Sequence, residues 1–269
     1  MMRTLSRRSF TLLTVLVLLL AANCSSGSSS LTAPSDSDQS LVIVTYGDSL
    51  LTYPAADQGA IDVYAGMLED DLGASVEVQM PMYDYGYPPY VVDDLKSDRA
   101  QSDLAEADVV IIESPIDAMA FAVLTAAGLG GMDPVDCGGD DRQQCMRDSL
   151  AEYKDDVEEI FSLLTEAVDP SETLIRAVGV YAIVVEDQLA ADTLQMTNPY
   201  WFEAQEFFAE TAAKYGIPTA QVFAEFMGPD GTNDPQDQGL IATDQMHPTE
   251  AGAILIAQLI HDLGYDFVG

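Results

Sequence analysis

Leu41-Val42-Ile43-Val44-Thr45-Tyr46-Gly47-Asp48-Ser49-Leu50 is the stretch that decides the fold. Its first six residues are apolar or β-branched and carry no charge, which predicts a strand buried on both faces. Gly47-Asp48 breaks the run. Ser49 then falls just past the strand's C-terminal end, on the rim where parallel α/β sheets place their ligands. The next helical spacing begins near Asp57, so Ser49 is expected in a loop. A serine hydroxyl is a weak nucleophile. It needs a base beside it and a third group to orient that base. Asp244-Gln245-Met246-His247-Pro248, near the other end of the chain, offers both. The expectation is that Ser49 and His247 meet in space, with Asp244 holding the imidazole.

Outward from that strand, helix and strand patterns alternate. Ile61, Tyr64, Ala65, Leu68 and Leu72 share one face of a helix expected over 57–72, which Gly73 ends. Ser75 to Met80 reads as a second strand. Tyr83-Asp84-Tyr85-Gly86-Tyr87-Pro88-Pro89-Tyr90 is a loop by its prolines and glycine. A helix is expected over Val91 to Leu104. Asp108 to Glu113, with Val109-Val110-Ile111-Ile112, is the clearest buried strand. A short apolar segment, Ile116 to Ala127, is broken by Gly128-Leu129-Gly130-Gly131, whose spacing fits no phosphate-binding fingerprint. Then follow a long helix (Arg147 to Ala167), a fourth strand (Thr173 to Tyr181) and a helix over Tyr200 to Tyr215 opened by Asn198-Pro199. A fifth strand (Thr219 to Phe226), a polar loop (Met227 to Leu240) and a last helix (Thr249 to Leu263) complete the chain. Asp230, Asn233, Asp234 and Asp237 do not match a 12-residue calcium loop and are explained by turn chemistry. Alternating strands and helices imply a parallel sheet covered on both faces. Ser49 and His247 then lie on one edge.

The N-terminus reads as a targeting segment. Arg3, Arg7 and Arg8 precede an apolar core from Phe10 to Ala22, too short for a comfortable membrane span. Ala21-Ala22-Asn23-Cys24 resembles a lipoprotein signal with lipidation at Cys24, and Ser6-Arg7-Arg8-Ser9-Phe10 resembles a twin-arginine signal. Twin-arginine and general export both stay open, and either takes the protein out of the cytoplasm, secreted or lipid-anchored at the cell surface. The expected organisation is an export signal over 1–24, a flexible linker rich in Ser, Gly, Pro and Asp over 25–40, and one domain over 41–269.

The chain holds 10 Lys+Arg against 45 Asp+Glu, a net charge of −35. Three of the bases sit in the leader, so the rest is more acidic still. Such a surface repels nucleic acid and anionic lipid. Contact with a membrane is expected only through the N-terminal anchor, and a monomer is expected. The 48% hydrophobic content argues against disorder. Beyond the leader two cysteines remain, Cys137 and Cys145. An even pair outside the cytoplasm favours a disulfide, and without nearby histidines it makes an incomplete metal set.

Taken together, Gly47-Asp48-Ser49-Leu50 and Asp244-Gln245-Met246-His247-Pro248, running from the first strand to the C-terminus, resemble the SGNH or GDSL hydrolase family of esterases and lipases. The resemblance implies a three-layer α/β/α sandwich with a five-stranded parallel sheet, of flavodoxin-like type, and no cofactor. It implies Ser49 as nucleophile, His247 as base and Asp244 as orienting acid. It also implies an oxyanion hole made of the Ser49 N–H, a glycine after the second strand, best matched by Gly86, and an asparagine after the third. Here the chain departs from the pattern. Ser114-Pro115-Ile116-Asp117 puts Ile116 in the asparagine's place, with Ser114 or another side chain as the substitute donor. The activity implied is hydrolysis of a small-molecule, carbohydrate or lipid ester. The alternative is a catalytically impaired relative that binds a ligand at the cell surface. Tyr85, Tyr87, Tyr200, Trp201 and Phe202 read equally as a stacking pocket or as core.

Overall fold

A computed structural model of the protein describes residues 29–34, 40–47, 49–52, 58–80, 91–129 and 135–267. Five strands, β1 (Leu41–Tyr46), β2 (Val76–Gln79), β3 (Val109–Glu113), β4 (Leu174–Val178) and β5 (Thr219–Ala220), form one sheet in the order β2-β1-β3-β4-β5. Every pairing is parallel. Ten helices among the described residues connect them: α1 (Ser49–Thr52), α2 (Ala60–Leu72), α3 (Val91–Leu95), α4 (Asp98–Glu106), α5 (Asp117–Ala127), α6 (Gln144–Ala167), α7 (Val185–Ala190), α8 (Leu194–Lys214), α9 (Val222–Met227) and α10 (Glu250–His261). The fold is the α/β sandwich expected.

The burial follows from the topology. Every residue of β3 and β4 is buried, while edge strand β2 is only partly covered. From β1 the chain goes to β2 on one side and to β3, β4 and β5 on the other. Right-handed crossovers then place the connections on opposite faces. Accordingly α2 packs with α10 in one layer, and α6 packs with α5 and α8 in the other. The strand order reverses between β1 and β3, and ligand sites of such sheets lie outside the strand ends at that switch point. Ser49 stands there, immediately after β1.

Local chemistry sets several boundaries. Gly73 and Gly128 end α2 and α5 in the left-handed region, at φ 66° and 67°, where a Cβ would be strained. The helix expected over 91–104 is two helices, because the Ser97 hydroxyl accepts from Ala100 N–H at 3.1 Å and starts a new one. Thr249 caps α10 the same way, accepting from Gly252 N–H at 3.2 Å.

Four further expectations are corrected. The fifth strand is only Thr219–Ala220; Val222, Phe223, Phe226 and Met227 are buried at helical spacing in α9. An apolar run of that length reads equally as strand or helix until its neighbours are known. Helix α8 starts at Leu194, not at Tyr200, and carries Pro199 inside it. Pro199 therefore interrupts the early hydrogen-bond ladder and does not open it. Ser49 is not in a loop: it opens the one-turn helix α1. The linker over 25–40 is not free throughout, since Ser30 bridges Asp266 and Leu31 is 6% exposed in the main core. The 83–90 loop, Gly86 included, lies outside the described residues.

Cys137 and Cys145 are joined by a disulfide with Cα atoms 4.9 Å apart. The loop they close is braced by Arg147, which donates to both Asp141 oxygens at 2.9 and 3.0 Å.

Candidate active site

The Asp244–His247 turn is built from its own side chains. Asp244 Oδ1 accepts from the N–H groups of Met246 and His247, each at 3.0 Å. This is the local bonding that makes aspartate a turn residue. The turn is closed from outside by Ala242 N–H to His247 O at 2.8 Å and by the Ile241–Pro248 bridge. With Oδ1 committed to the backbone, Oδ2 is left facing the ring, 2.7 Å from His247 Nδ1. On the other side of the ring, His247 Nε2 stands 3.0 Å from Ser49 Oγ, across 198 residues of sequence.

The donor pattern follows from this geometry. A carboxylate on Nδ1 makes that nitrogen the N–H donor, so Nε2 presents its lone pair to the serine O–H. Burial raises the Asp244 carboxyl, but the His247 ring and the backbone N–H groups of His247 and Met246 outweigh it and hold the group below the usual carboxylate range. Asp244 is therefore favoured as the carboxylate that faces the ring. The histidine side chain is 16% exposed and the aspartate 47%, so the pair sits at the surface with its ring edge sheltered.

A second ring of contacts holds the turn. Gln245 has φ 60° and Val184 has φ 50°, both in the left-handed region that non-glycine residues rarely enter. The Val184 N–H donates to Gln245 O at 2.8 Å. Asp187 N–H donates to Gln245 Oε1, and Gln245 Nε2 donates back to Asp187 Oδ1, both at 3.2 Å. Tyr181 Oη donates to Met246 O at 2.8 Å, and its ring stacks on Phe226 at 4.6 Å. None of Tyr181, Val184 and Asp187 carried a sequence signal, because these contacts span about sixty residues and follow no spacing.

The nucleophile loop has its own constraint. A Cβ on Gly47 would stand 2.5 Å from Glu113 Oε2 and 2.6 Å from Glu113 Cβ. Glu113, 1% exposed at the end of β3, thus fills the space beneath the turn that leads into Ser49.

The expected oxyanion donors fare differently. Gly86 lies outside the described residues. The Ser114 hydroxyl is buried and bonded to Tyr153 Oη at 2.7 Å, and that phenol donates to Ala204 O at 3.2 Å. Ser114 is thereby tied to the α6–α8 layer. Ile116 is 2% exposed. Of the proposed stacking residues, Trp201 is fully buried core, Tyr200 is buried with its hydroxyl on Gln143, and Phe202 is half-exposed against Phe223. A cleft of about 540 Å³ between α6 and α8, lined by Gln143, Arg147, Lys154 and Tyr200 among others, includes none of Ser49, Asp244 and His247.

The other histidine, His261, is paired as well: its Nε2 is 3.0 Å from Asp71 Oδ2, which also accepts from Tyr265 Oη at 2.8 Å. Among the described residues no group of three or more His, Cys, Asp and Glu is placed to hold a metal ion.

No family model and no curated protein matches the chain. Solved structures do. The chain is similar to the lipase Lip_vut3 from a goat rumen metagenome, with TM-score 0.62 and 13% identity over 86% of this chain and all of that one. It is also similar to LAE5, an alpha/beta hydrolase enzyme from the metagenome of Lake Arreo, with TM-score 0.50 and 16% identity, covering 86% of this chain and 95% of that one. An SGNH-hydrolase candidate from Slackia heliotrinireducens aligns at TM-score 0.45 and 19% identity, over 83% of this chain and 98% of that one. For the first two of these, at 13% and 16% identity, the likeness is one of fold.

Proposed function

We propose that the protein is an exported serine hydrolase, lipid-anchored through Cys24, that cleaves carboxylic esters by way of an acyl-enzyme on Ser49. The observation that carries this reading is the line Asp244 Oδ2–His247 Nδ1–His247 Nε2–Ser49 Oγ, with contacts of 2.7 and 3.0 Å. His247 takes the serine proton as Oγ attacks the ester carbonyl. It then returns that proton to the departing alcohol, and water repeats the cycle to release the acid. Asp244 orients the ring and offsets the charge of the imidazolium. The Ser49 N–H supplies one oxyanion donor, and Gly86 is the proposed second. Ser114 is not carried forward as a donor, since Tyr153 engages its hydroxyl.

A fluorophosphonate probe tests the proposal. The wild type is expected to be labelled and to turn over p-nitrophenyl acetate, while Ser49→Ala and His247→Ala show neither. Full activity in His247→Ala would remove the triad.

The second reading, a surface ligand-binding protein without turnover, is favoured by one observation: the buried Ile116 where the family's pattern has an asparagine donor. One lost oxyanion donor costs about 3–4 kcal/mol of transition-state stabilisation. No probe labelling and no turnover of acyl esters, with binding of the same esters by calorimetry, would select this reading.

A further inference from the structure

Residues 29–31 do not lead straight into β1. They pair antiparallel with the C-terminal segment: Leu31 N–H donates to Tyr265 O at 2.8 Å, and Phe267 N–H donates to Ser29 O at 3.0 Å. Ser30 Oγ donates to the Asp266 carboxylate, and Leu31 is buried in the core. The C-terminal segment is held in turn by Arg176, fully buried in β4, whose Nη2 donates to Gly264 O at 2.7 Å and to Asp266 O at 3.1 Å. Asp71, at the end of α2, takes Tyr265 Oη and faces His261 Nε2. Among the described residues, this clamp is the hold on the chain nearest to Cys24.

The clamp sits on the edge of the sheet opposite Ser49. In a parallel sheet all strands start on one edge and end on the other. Ser49 follows the end of β1, and the Asp244–His247 turn stands against it, with His247 Nε2 3.0 Å from Ser49 Oγ. Helix α2 returns the chain to where β2 starts, and α10 runs its whole length away from His247 before reaching the clamp. Twelve helical residues at about 1.5 Å each put that run near 18 Å.

We propose that the anchored domain stands with its catalytic edge turned away from the membrane. Its substrates are therefore esters presented from the far side, soluble or carried on a polymer, and not acyl lipids of the bilayer that holds it. This rests on the hydrolase reading and on attachment at Cys24. From Cys24 to Ser29 there are five Cα steps, a span of at most about 17 Å. Turning Ser49 to the lipid would lift the clamp by roughly the length of α10 plus its flanking turns, beyond that reach. Without the clamp, seventeen steps from Cys24 to Leu41 would reach about 60 Å and impose no orientation. The net charge of −35 adds repulsion from anionic headgroups within about a Debye length, roughly 8–10 Å.

The test uses the chain beginning at Cys24, coupled through that thiol to a maleimide lipid in phosphatidylcholine vesicles. A dye is attached through an azide-bearing residue at position 262, beside the clamp, or at position 237, in the loop on the catalytic edge. Energy transfer to a headgroup acceptor is expected to be several-fold stronger from position 262. The vesicle's own lipid is expected to release no fatty acid, while p-nitrophenyl acetate is turned over at the same rate as by the uncoupled protein. A Gly/Ser insertion of about 30 residues after Ser28 is expected to bring the two transfer signals together without altering that rate. Equal transfer from both positions with the natural tether, or fatty acid released from the anchoring vesicle, would overturn the proposal. Unequal transfer with no turnover of the soluble ester would instead overturn the hydrolase reading and leave the orientation standing.

Discussion

Gln245 and Asp187, 58 residues apart in the chain, bond each other twice, main chain to amide and amide to carboxylate. The pair holds Gln245 in a left-handed conformation, two residues before His247. Strained backbone of this kind persists only where its surroundings over-determine it, at about 1–3 kcal/mol per residue.

Asp187→Ala is expected to lower kcat on p-nitrophenyl acetate about tenfold with KM nearly unchanged, because the histidine loses its alignment while the acyl site stays intact. Asp187→Asn keeps an acceptor for the Gln245 amide and is expected to stay within about threefold of wild type. Steady-state kinetics on both variants make the check. A proportional rise in KM in Asp187→Ala would contradict a positioning role.

Tyr181→Phe removes the donor to Met246 O while preserving the stack on Phe226. A part-buried carbonyl then goes without its bond, and about 1–2 kcal/mol of stability is expected to be lost. Urea denaturation reads this as a lower midpoint at constant slope.

Gly47→Ala is expected to destabilise by about 1–3 kcal/mol through overpacking against Glu113. Because the displaced atoms lie next to the nucleophile turn, the variant is also expected to react more slowly with a fluorophosphonate. Denaturation and labelling rates measured together test both halves. Unchanged stability would mean that the Glu113 side chain yields freely.

Asp94 supplies the pH prediction. It is 8% exposed on α3, and its Oδ2 has no hydrogen-bond partner among the described residues. Burial pushes its carboxyl above the usual range, Arg99 offsets a part and Asp103 adds to the rise. A carboxyl raised in the folded state favours folding while protonated, and that contribution is lost as pH rises through the folded pKa. Asp94→Asn is therefore expected to raise the melting temperature at pH 7. The advantage should shrink as pH falls through the raised folded pKa and be gone below the ordinary aspartate value of about 4. Thermal scans from pH 3 to 8 would show it, and an advantage independent of pH would refute it.

Replacing Cys137 and Cys145 by serine opens a loop with a sequence separation of 8. The expected loss is about 2–3 kcal/mol, mostly through a less constrained unfolded chain. Chemical denaturation with and without reductant reads it. The Ser49–His247 chemistry is expected to survive, since neither cysteine belongs to the catalytic turn.

Much of this molecule was legible in one dimension because its signals are local or periodic. β1 and β3 are runs of apolar residues that only a doubly covered strand can use. Ser49 after β1, and Asp244 three residues before His247, are short-range patterns with a chemical reason for their spacing. What resisted was whatever depends on a partner chosen by packing. Val222 to Met227 has the composition of a strand or a helix, and the face it found made it α9. Ser114 looked available as a donor until Tyr153, 39 residues on, took its hydroxyl.

The sequence by itself determined the layered sheet, the placing of Ser49 after β1, the excess of acidic residues and the cysteine pair, because hydrophobic period, charge and turn chemistry act between near neighbours. Only the tertiary structure decided that the Asp244–His247 turn is clasped by Val184 and Asp187, that Glu113 underlies Gly47, and that Leu31 is folded into the edge opposite Ser49. Those contacts join residues tens to hundreds of positions apart, and no local preference encodes them. They exist because burying one surface brings distant side chains within bonding distance.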